Sequence, residues 1–140
     1  MHNTYGFTFT VVTETWLTAP IANKFEGIIV AQSPPNAHQG ILILTSSKVK
    51  RINPVLSEFW TPTKIAAIFT IVDEGKATEA LVIAHYSPPF MQETTDKELQ
   101  FIISNAMSGH PRHPVILLGD FNRKHGEMAK IANKFNLNLC

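Results

Sequence analysis

Four side chains in this sequence are of the types that hold a divalent cation and a phosphoryl group, and each stands where a strand is predicted to run out: Glu14, Tyr86, Asp120 and Asn122. Hard carboxylate oxygens such as those of Glu14 and Asp120 suit Mg²⁺ or Mn²⁺, which take few protein carboxylates and keep several waters for a phosphate to displace. A tyrosine hydroxyl and an asparagine amide both donate hydrogen bonds to phosphoryl oxygens on which charge develops. Together they point to metal-assisted hydrolysis of a phosphodiester or phosphomonoester. Each has a plainer alternative. A glutamate at a strand end is commonly a solvated loop residue, and Tyr86 ahead of Ser87-Pro88-Pro89 an aromatic at a core edge. Asp-x-Asn can simply cap the next turn or helix.

The element that must carry two of these groups is Val115-Ile116-Leu117-Leu118. Four apolar residues closed by Gly119 predict a strand buried on both faces. Residues i and i+2 share a face in extended geometry, so Asp120 and Asn122 are predicted to aim at one point beyond its carboxyl end. Upstream, Phe7-Thr8-Phe9-Thr10-Val11 alternates, with Phe7, Phe9 and Val11 inward. Further strands are predicted at 27–30, 40–44, 49–56 (interrupted by Pro54), 64–72 and 80–86, the last two joined by a hairpin at Asp73-Glu74-Gly75-Lys76. This stretch reads as a β-meander. The period then changes. Thr95-Asp96-Lys97-Glu98 forms a capping box ahead of Leu99, Ile102, Ile103, Ala106 and Met107, one face of a helix ending near Gly109. Met128, Ile131, Ala132 and Phe135 make a second helical stripe after the Val115 strand. The order predicts an α+β domain, a sheet with helices packed over it.

Composition bounds the partners. In 140 residues, 44% are apolar and 16% charged, with a net charge of +1, so one globular domain is expected and no strongly basic surface. Local positive clusters remain at Lys48, Lys50 and Arg51 and at Arg123, Lys124 and His125. The first reads as solvated loop charge; the second adjoins Asn122. The one cysteine, Cys140, excludes an internal disulfide and is compatible with a reducing compartment. No apolar run approaches the roughly 20 residues that span a bilayer, and the amino terminus lacks a signal-peptide pattern. An intracellular protein without membrane contact is expected, nucleus and cytoplasm being indistinguishable.

Thr13-Glu14-Thr15-Trp16-Leu17, Gly40-Ile41-Leu42-Ile43, Ala84-His85-Tyr86-Ser87-Pro88-Pro89 and Gly119-Asp120-Phe121-Asn122 occur in the order seen in the endonuclease/exonuclease/phosphatase superfamily. The chain resembles most the apurinic-endonuclease-like domains of non-LTR (LINE-type) retrotransposons. That resemblance implies a two-layer β-sandwich flanked by helices, present here in part, usually with Mg²⁺. It matches Glu14 to the metal-ligating glutamate, Tyr86 to the tyrosine that contacts the scissile phosphate, Asp120 to the aspartate that orients or deprotonates the attacking water, and Asn122 to the asparagine that holds the phosphate. It also implies nucleic acid as partner.

The departures are equally specific. Family members open on a strand whose asparagine helps build the metal site, and Asn3 is badly placed for that role. They continue past Gly-Asp-Phe-Asn to a Ser-Asp-His segment with the catalytic histidine, which has no counterpart before Cys140. A whole sandwich of this kind runs to roughly 200–250 residues, so residues 1–140 are expected to form a single domain truncated at both ends. No other histidine substitutes: His85 should face away from Tyr86, His110 and His113 precede the Val115 strand at its far end, and His125 matches an ordinary loop histidine. The expected function is a metal-dependent, endonuclease-like phosphodiester hydrolase of retrotransposon descent with impaired activity. The alternative is an inactive remnant acting as a binding or structural component, with a protein or ribonucleoprotein partner, or a second copy, covering its open strand edges. A phosphatase of small phosphate esters is a third, less well matched by the motifs.

Overall fold

The computed structural model describes residues 8–15, 30–34, 39–89 and 92–138. Its strands fall into two sheets. In the first, β1 (Phe9–Thr13), β2 (Val30–Gln32) and β3 (Ile41–Thr45) lie in the order β1-β3-β2, all antiparallel. In the second, β4 (Val49–Pro54), β5 (Lys64–Asp73), β6 (Lys76–Tyr86) and β7 (Val115–Asp120) lie in the order β4-β5-β6-β7. The helices are α1 (Gln92–Gly109) and α2 (His125–Lys134). This is an α+β fold, part of a two-layer β-sandwich with helices against one layer.

The long hairpin of β5 and β6 is the structural centre. Its two-residue turn, Glu74-Gly75, has positive φ at both positions (51° and 77°), the geometry whose twist matches the flanking strands. Away from the turn, over 64–69 and 80–86, both strands are buried on both faces, and their alternation sorts two cores. Ile65, Ala67, Phe69, Val82, Ala84 and Tyr86 face the first sheet and pack with Ile41 and Ile43. Ala66, Ile68, Leu81 and Ile83 face α1 and pack with Leu99, Ile102, Ile103 and Ala106, the predicted helical stripe. At about 25 cal/mol per Å² of apolar surface, this double burial is the main source of cohesion. After α1 the chain returns as β7, which pairs parallel to β6. Among the described residues, no helix is long and apolar enough to cross a membrane.

Four expectations need correction. The upstream strands do not form a meander: β1 pairs with β3, and the chain changes sheet after β3, because one continuous sheet would leave one apolar face uncovered. The strand expected at 27–30 is found at Val30–Gln32, residues 27–29 lying outside the described residues, as do Phe7, Trp16 and Leu17. α1 starts at Gln92, so Thr95 is inside the helix, with its hydroxyl spent on Ser87. β7 is not buried on both faces. It is the edge strand of its sheet among the described residues, with Ile116 38% exposed beside an apolar groove shared with Met128 and Leu137 of the α2 region.

Candidate metal and phosphoryl site

The carboxyl ends of two adjacent parallel strands bring the predicted residues together. In the β6–β7 register Tyr86 pairs with Asp120, the last residue of each strand. Both belong to the alternation that faces the first sheet, with Val82 and Ala84 on one strand and Leu118 on the other. β1 comes up against β7 from that first sheet, and Glu14 follows its last residue. The result is a hydrogen bond between residues 72 positions apart: the Tyr86 hydroxyl donates to Glu14 Oε1 at 2.5 Å. Crevices outside the carboxyl ends of parallel strands are where α/β sheets commonly place ligands.

Tyr86 presents its hydroxyl as a neutral donor. Burial of the ring comes first, then the hydrogen bond to Glu14 and the negative charges of Glu14 and Asp120; together they push its pKa up to about 12. Both carboxylates therefore act electrostatically on one oxygen. Glu14, Asp120 and Asn122 are exposed, whereas Tyr86 is buried. Two exposed carboxylates and an exposed carboxamide thus lie around a buried tyrosine.

The Gly-Asp-Phe-Asn segment has a more particular shape than alternation predicts. Extended geometry ends at Asp120; Asn122 adopts a left-handed backbone (φ 46°), as does Glu14 (φ 53°). Non-glycine residues hold that conformation only where the surroundings enforce it, and such positions cluster at functional sites. The Asn122 N–H donates to Asp120 Oδ1 at 3.2 Å, so the capping alternative for Asp-x-Asn is realised as well. Asn122 Nδ2 donates to the Ser87 carbonyl at 2.6 Å, which fixes the plane of the carboxamide beside Tyr86. Asp120 and Asn122 are thus brought together by a turn and not by sharing a strand face.

Gly119 has a reason beyond ending the strand. At φ 144° it lies against β6 so closely that a Cβ would sit 1.8 Å from the His85 carbonyl oxygen. Only a residue without a side chain lets Asp120 stand beside Tyr86.

No protein-family profile matches the chain, and no curated protein sequence matches it. Solved structures do. The endonuclease domain of TRAS1, a telomere-specific non-LTR retrotransposon, is 13% identical, with 96% of this chain and 62% of that one covered and a TM-score of 0.67. The human Nocturnin catalytic domain with bound sulfate is 15% identical, covering 98% of this chain and 60% of that one, with a TM-score of 0.61. A 3'-5' exonuclease (NExo) from Neisseria meningitidis is 25% identical, covering 82% of this chain and 47% of that one, with a TM-score of 0.55. The fold is that of the endonuclease/exonuclease/phosphatase superfamily. The chain spans between 47% and 62% of the length of these three superfamily structures.

Around these residues the structure adds contacts that the sequence did not show. His85 points to the α1 side, as alternation predicts, and there stacks on Phe121 with ring centroids 5.7 Å apart. Burial pulls its pKa down to about 4, against the attraction of Asp96 and a weak influence of the Thr63 backbone, with Lys64 and Arg123 opposing protonation. Arg123, grouped from sequence with Lys124 and His125 as a positive cluster beside the site, turns inward instead to pair with Asp96. The local signal for Gly119 was present, a glycine between a strand and an acidic residue; nothing local marked Asp96 or Ser87. His110 and His113 lie at the opposite end of β7, where His113 Nε2 is 3.1 Å from Glu79 Oε2. Lys48 and Arg51 are engaged at the surface with Asp73 and Asn53.

Proposed function

We propose that Glu14, Tyr86, Asp120 and Asn122 form the metal and phosphoryl half-site of a Mg²⁺- or Mn²⁺-dependent phosphodiester hydrolase acting on nucleic acid, of retrotransposon-endonuclease descent and with impaired activity. The observation that carries this reading is the hydrogen bond of the Tyr86 hydroxyl to Glu14, with Asp120 paired beside Tyr86 at the ends of β6 and β7. Two structural neighbours lend support: one is a retrotransposon endonuclease domain, and one NExo structure is bound to a product DNA hairpin.

The donor set fits such a cation. Mg²⁺ is usually held by one or two carboxylates plus waters and substrate phosphate, not by an all-protein cage. Among the described residues no group of three or more histidine, cysteine or acidic side chains is arranged to hold a metal ion, so the proposal rests on the two carboxylates Glu14 and Asp120. A carboxylate has about four lone-pair sites, so Glu14 can accept from Tyr86 and still ligate. Glu14 and Asp120 would hold the cation, which would supply Lewis-acid polarisation of a phosphoryl oxygen. Asp120, exposed at the strand end, is placed to orient a water as its acceptor. Tyr86 keeps its proton at physiological pH and donates to charge developing on phosphate, and Asn122, held by Ser87, offers its amide at the same rim.

Impairment follows from what else the rim holds. Among the described residues, His85 faces the other side of the sheet and His110 and His113 stand at its far end, so none supplies an acid or base. Groups of a catalytic unit are strongly interdependent, so a half-site retains little rate. A Mn²⁺ titration followed by water-proton relaxation tests the reading. Saturable binding is expected, weakened about tenfold or more in Glu14→Gln and Asp120→Asn, with slow Mg²⁺-dependent plasmid nicking. Absence of Mn²⁺ binding refutes the site; fast nicking abolished by Asp120→Ala refutes the impairment. An intracellular location, in nucleus or cytoplasm, accompanies this proposal.

A second reading has its own observation. The half-exposed apolar edge of β7 favours a binding or structural role in a larger assembly, with a protein, a ribonucleoprotein or a second copy covering that edge.

A further inference from the structure

The first turns of α1 hold both arms of the rim at once. From β6, Ser87 follows Tyr86 directly, and its Oγ lies 2.8 Å from Thr95 Oγ1, both residues buried. From β7, Arg123 follows Asn122, and its Nη2 lies 2.6 Å from Asp96 Oδ1. The arms are also tied to each other. Asn122 Nδ2 donates to the Ser87 carbonyl, and the Ser87 N–H donates to the Asp120 carbonyl at 2.9 Å. Beneath them Phe121 stacks on His85.

The Asp96–Arg123 pair differs from the other ion pairs of the molecule. Lys97 and Glu93 are nearly fully exposed at 3.8 Å, and Lys48 and Asp73 are mostly so at 3.5 Å, which makes those pairs worth little. Lys64 is as buried as Arg123, each side chain being 6% exposed, but it stands 3.9 Å from Glu98, whereas the 2.6 Å contact of Arg123 is the shortest ion pair among the described residues. A short, charge-assisted bond of a desolvated guanidinium is directional, and loss of the Asp96 carboxylate removes a charged acceptor from a group largely shielded from water. Asn122, one residue away, holds a left-handed backbone that asparagine tolerates, closed locally by its N–H on Asp120 Oδ1 and tied to β6 by its Nδ2 on the Ser87 carbonyl.

We propose that Asp96 and Arg123 are positioning residues: their ion pair fastens the Gly119–Asn122 segment to the first turns of α1 and so sets the aim of Asp120 and Asn122. Arg123 is then an internal tether and not a phosphate-binding cation, despite its place beside the site. The inference rests on the metal and phosphoryl reading of the rim, but its structural half is testable without it.

The test measures backbone amide exchange and Mn²⁺ affinity on the full chain, for wild type, Asp96→Asn, Arg123→Lys and the exchanged pair Asp96→Arg with Arg123→Asp. The probes are the amide of Asn122, bonded to Asp120 Oδ1, and that of Ser87, bonded to the Asp120 carbonyl. Core amides of β5 report global opening. In Asp96→Asn both probe amides are expected to exchange about tenfold faster relative to β5, with Mn²⁺ affinity down about tenfold, as for other residues that orient ligands. Arg123→Lys, which keeps charge but not the planar fork, is expected to fall between; the exchanged pair is expected to recover part of the loss. Acceleration of all amides together would reduce the pair to a general stabiliser and overturn the proposal, as would unchanged probes. Selective loosening in a chain whose wild type binds no Mn²⁺ would uphold the tether and refute only the metal reading.

Discussion

Lowering the pH is expected to destabilise this protein through one buried ring. His85 is 1% exposed, and neither ring nitrogen has a partner within hydrogen-bond geometry. Burial disfavours the imidazolium; Asp96 favours it, while Lys64 and Arg123 oppose it, and the balance pulls the pKa from 6.5 down to about 4. The folded state therefore binds its proton less readily than the unfolded chain. Above the unfolded value both states are neutral, and the full stability is present. As pH falls below 6.5 the unfolded state gains protons first, so stability drains away until the folded value is passed. At about 1.4 kcal/mol per unit the shift is worth roughly 3 kcal/mol, of which about 2 kcal/mol is lost by about pH 5. Against a total of about 5–15 kcal/mol for a typical domain this is large. The assay is urea unfolding at a series of pH values for wild type and His85→Leu, which fills similar volume and cannot titrate. The remaining histidines and the carboxylates are common to both proteins, so the difference between their acid limbs isolates His85. Curves that stay parallel from pH 7 to 4 would refute the reasoning. If they diverge as expected, loss of the Phe121 stack should be visible first, since that ring carries the Gly-Asp-Phe-Asn segment.

Two further outcomes follow from the packing. Gly119→Ala places a methyl carbon 1.8 Å from the His85 carbonyl oxygen, at a φ that L-residues rarely adopt. The neighbour is backbone and cannot yield, so a loss of several kcal/mol is expected, at the upper end of backbone strain and overpacking; thermal melting checks it, and a change below about 1 kcal/mol would show that β6 and β7 are not so close. At the β7 edge, concentration-dependent association is expected by sedimentation equilibrium, abolished by Ile116→Lys, which charges the exposed apolar position. A monomer at all concentrations, alone and with nucleic acid, would argue against a covered edge.

Much of the architecture could be read locally. The alternation of Ile65, Ala67 and Phe69 against Ala66 and Ile68 on β5, the 3.6-residue stripe from Leu99 to Met107 and the Glu74-Gly75 turn are consequences of side-chain period and backbone sterics within a few residues. So was the placement of Glu14, Tyr86 and Asp120 at strand ends. The misread parts depended on distance along the chain. The apolar run 115–118 says that a strand seeks burial, but whether it is central or at an edge depends on which strands pair beside it. The charge of Arg123 is visible in the sequence; that it turns to Asp96 is not.

The sequence by itself determined which segments are strands and helices, which faces are apolar and which residues are chemically capable of holding a cation and a phosphate, because these follow from residue type and local periodicity. The tertiary structure alone decided that the Tyr86 hydroxyl meets Glu14, that Gly119 lies flat against His85, and that α1 grips both strand ends. Apart from Ser87 and Thr95, eight positions apart, those contacts join residues tens of positions apart, and their existence depends on strand register and crossover, which are set by burial of the whole chain and not by any stretch of it.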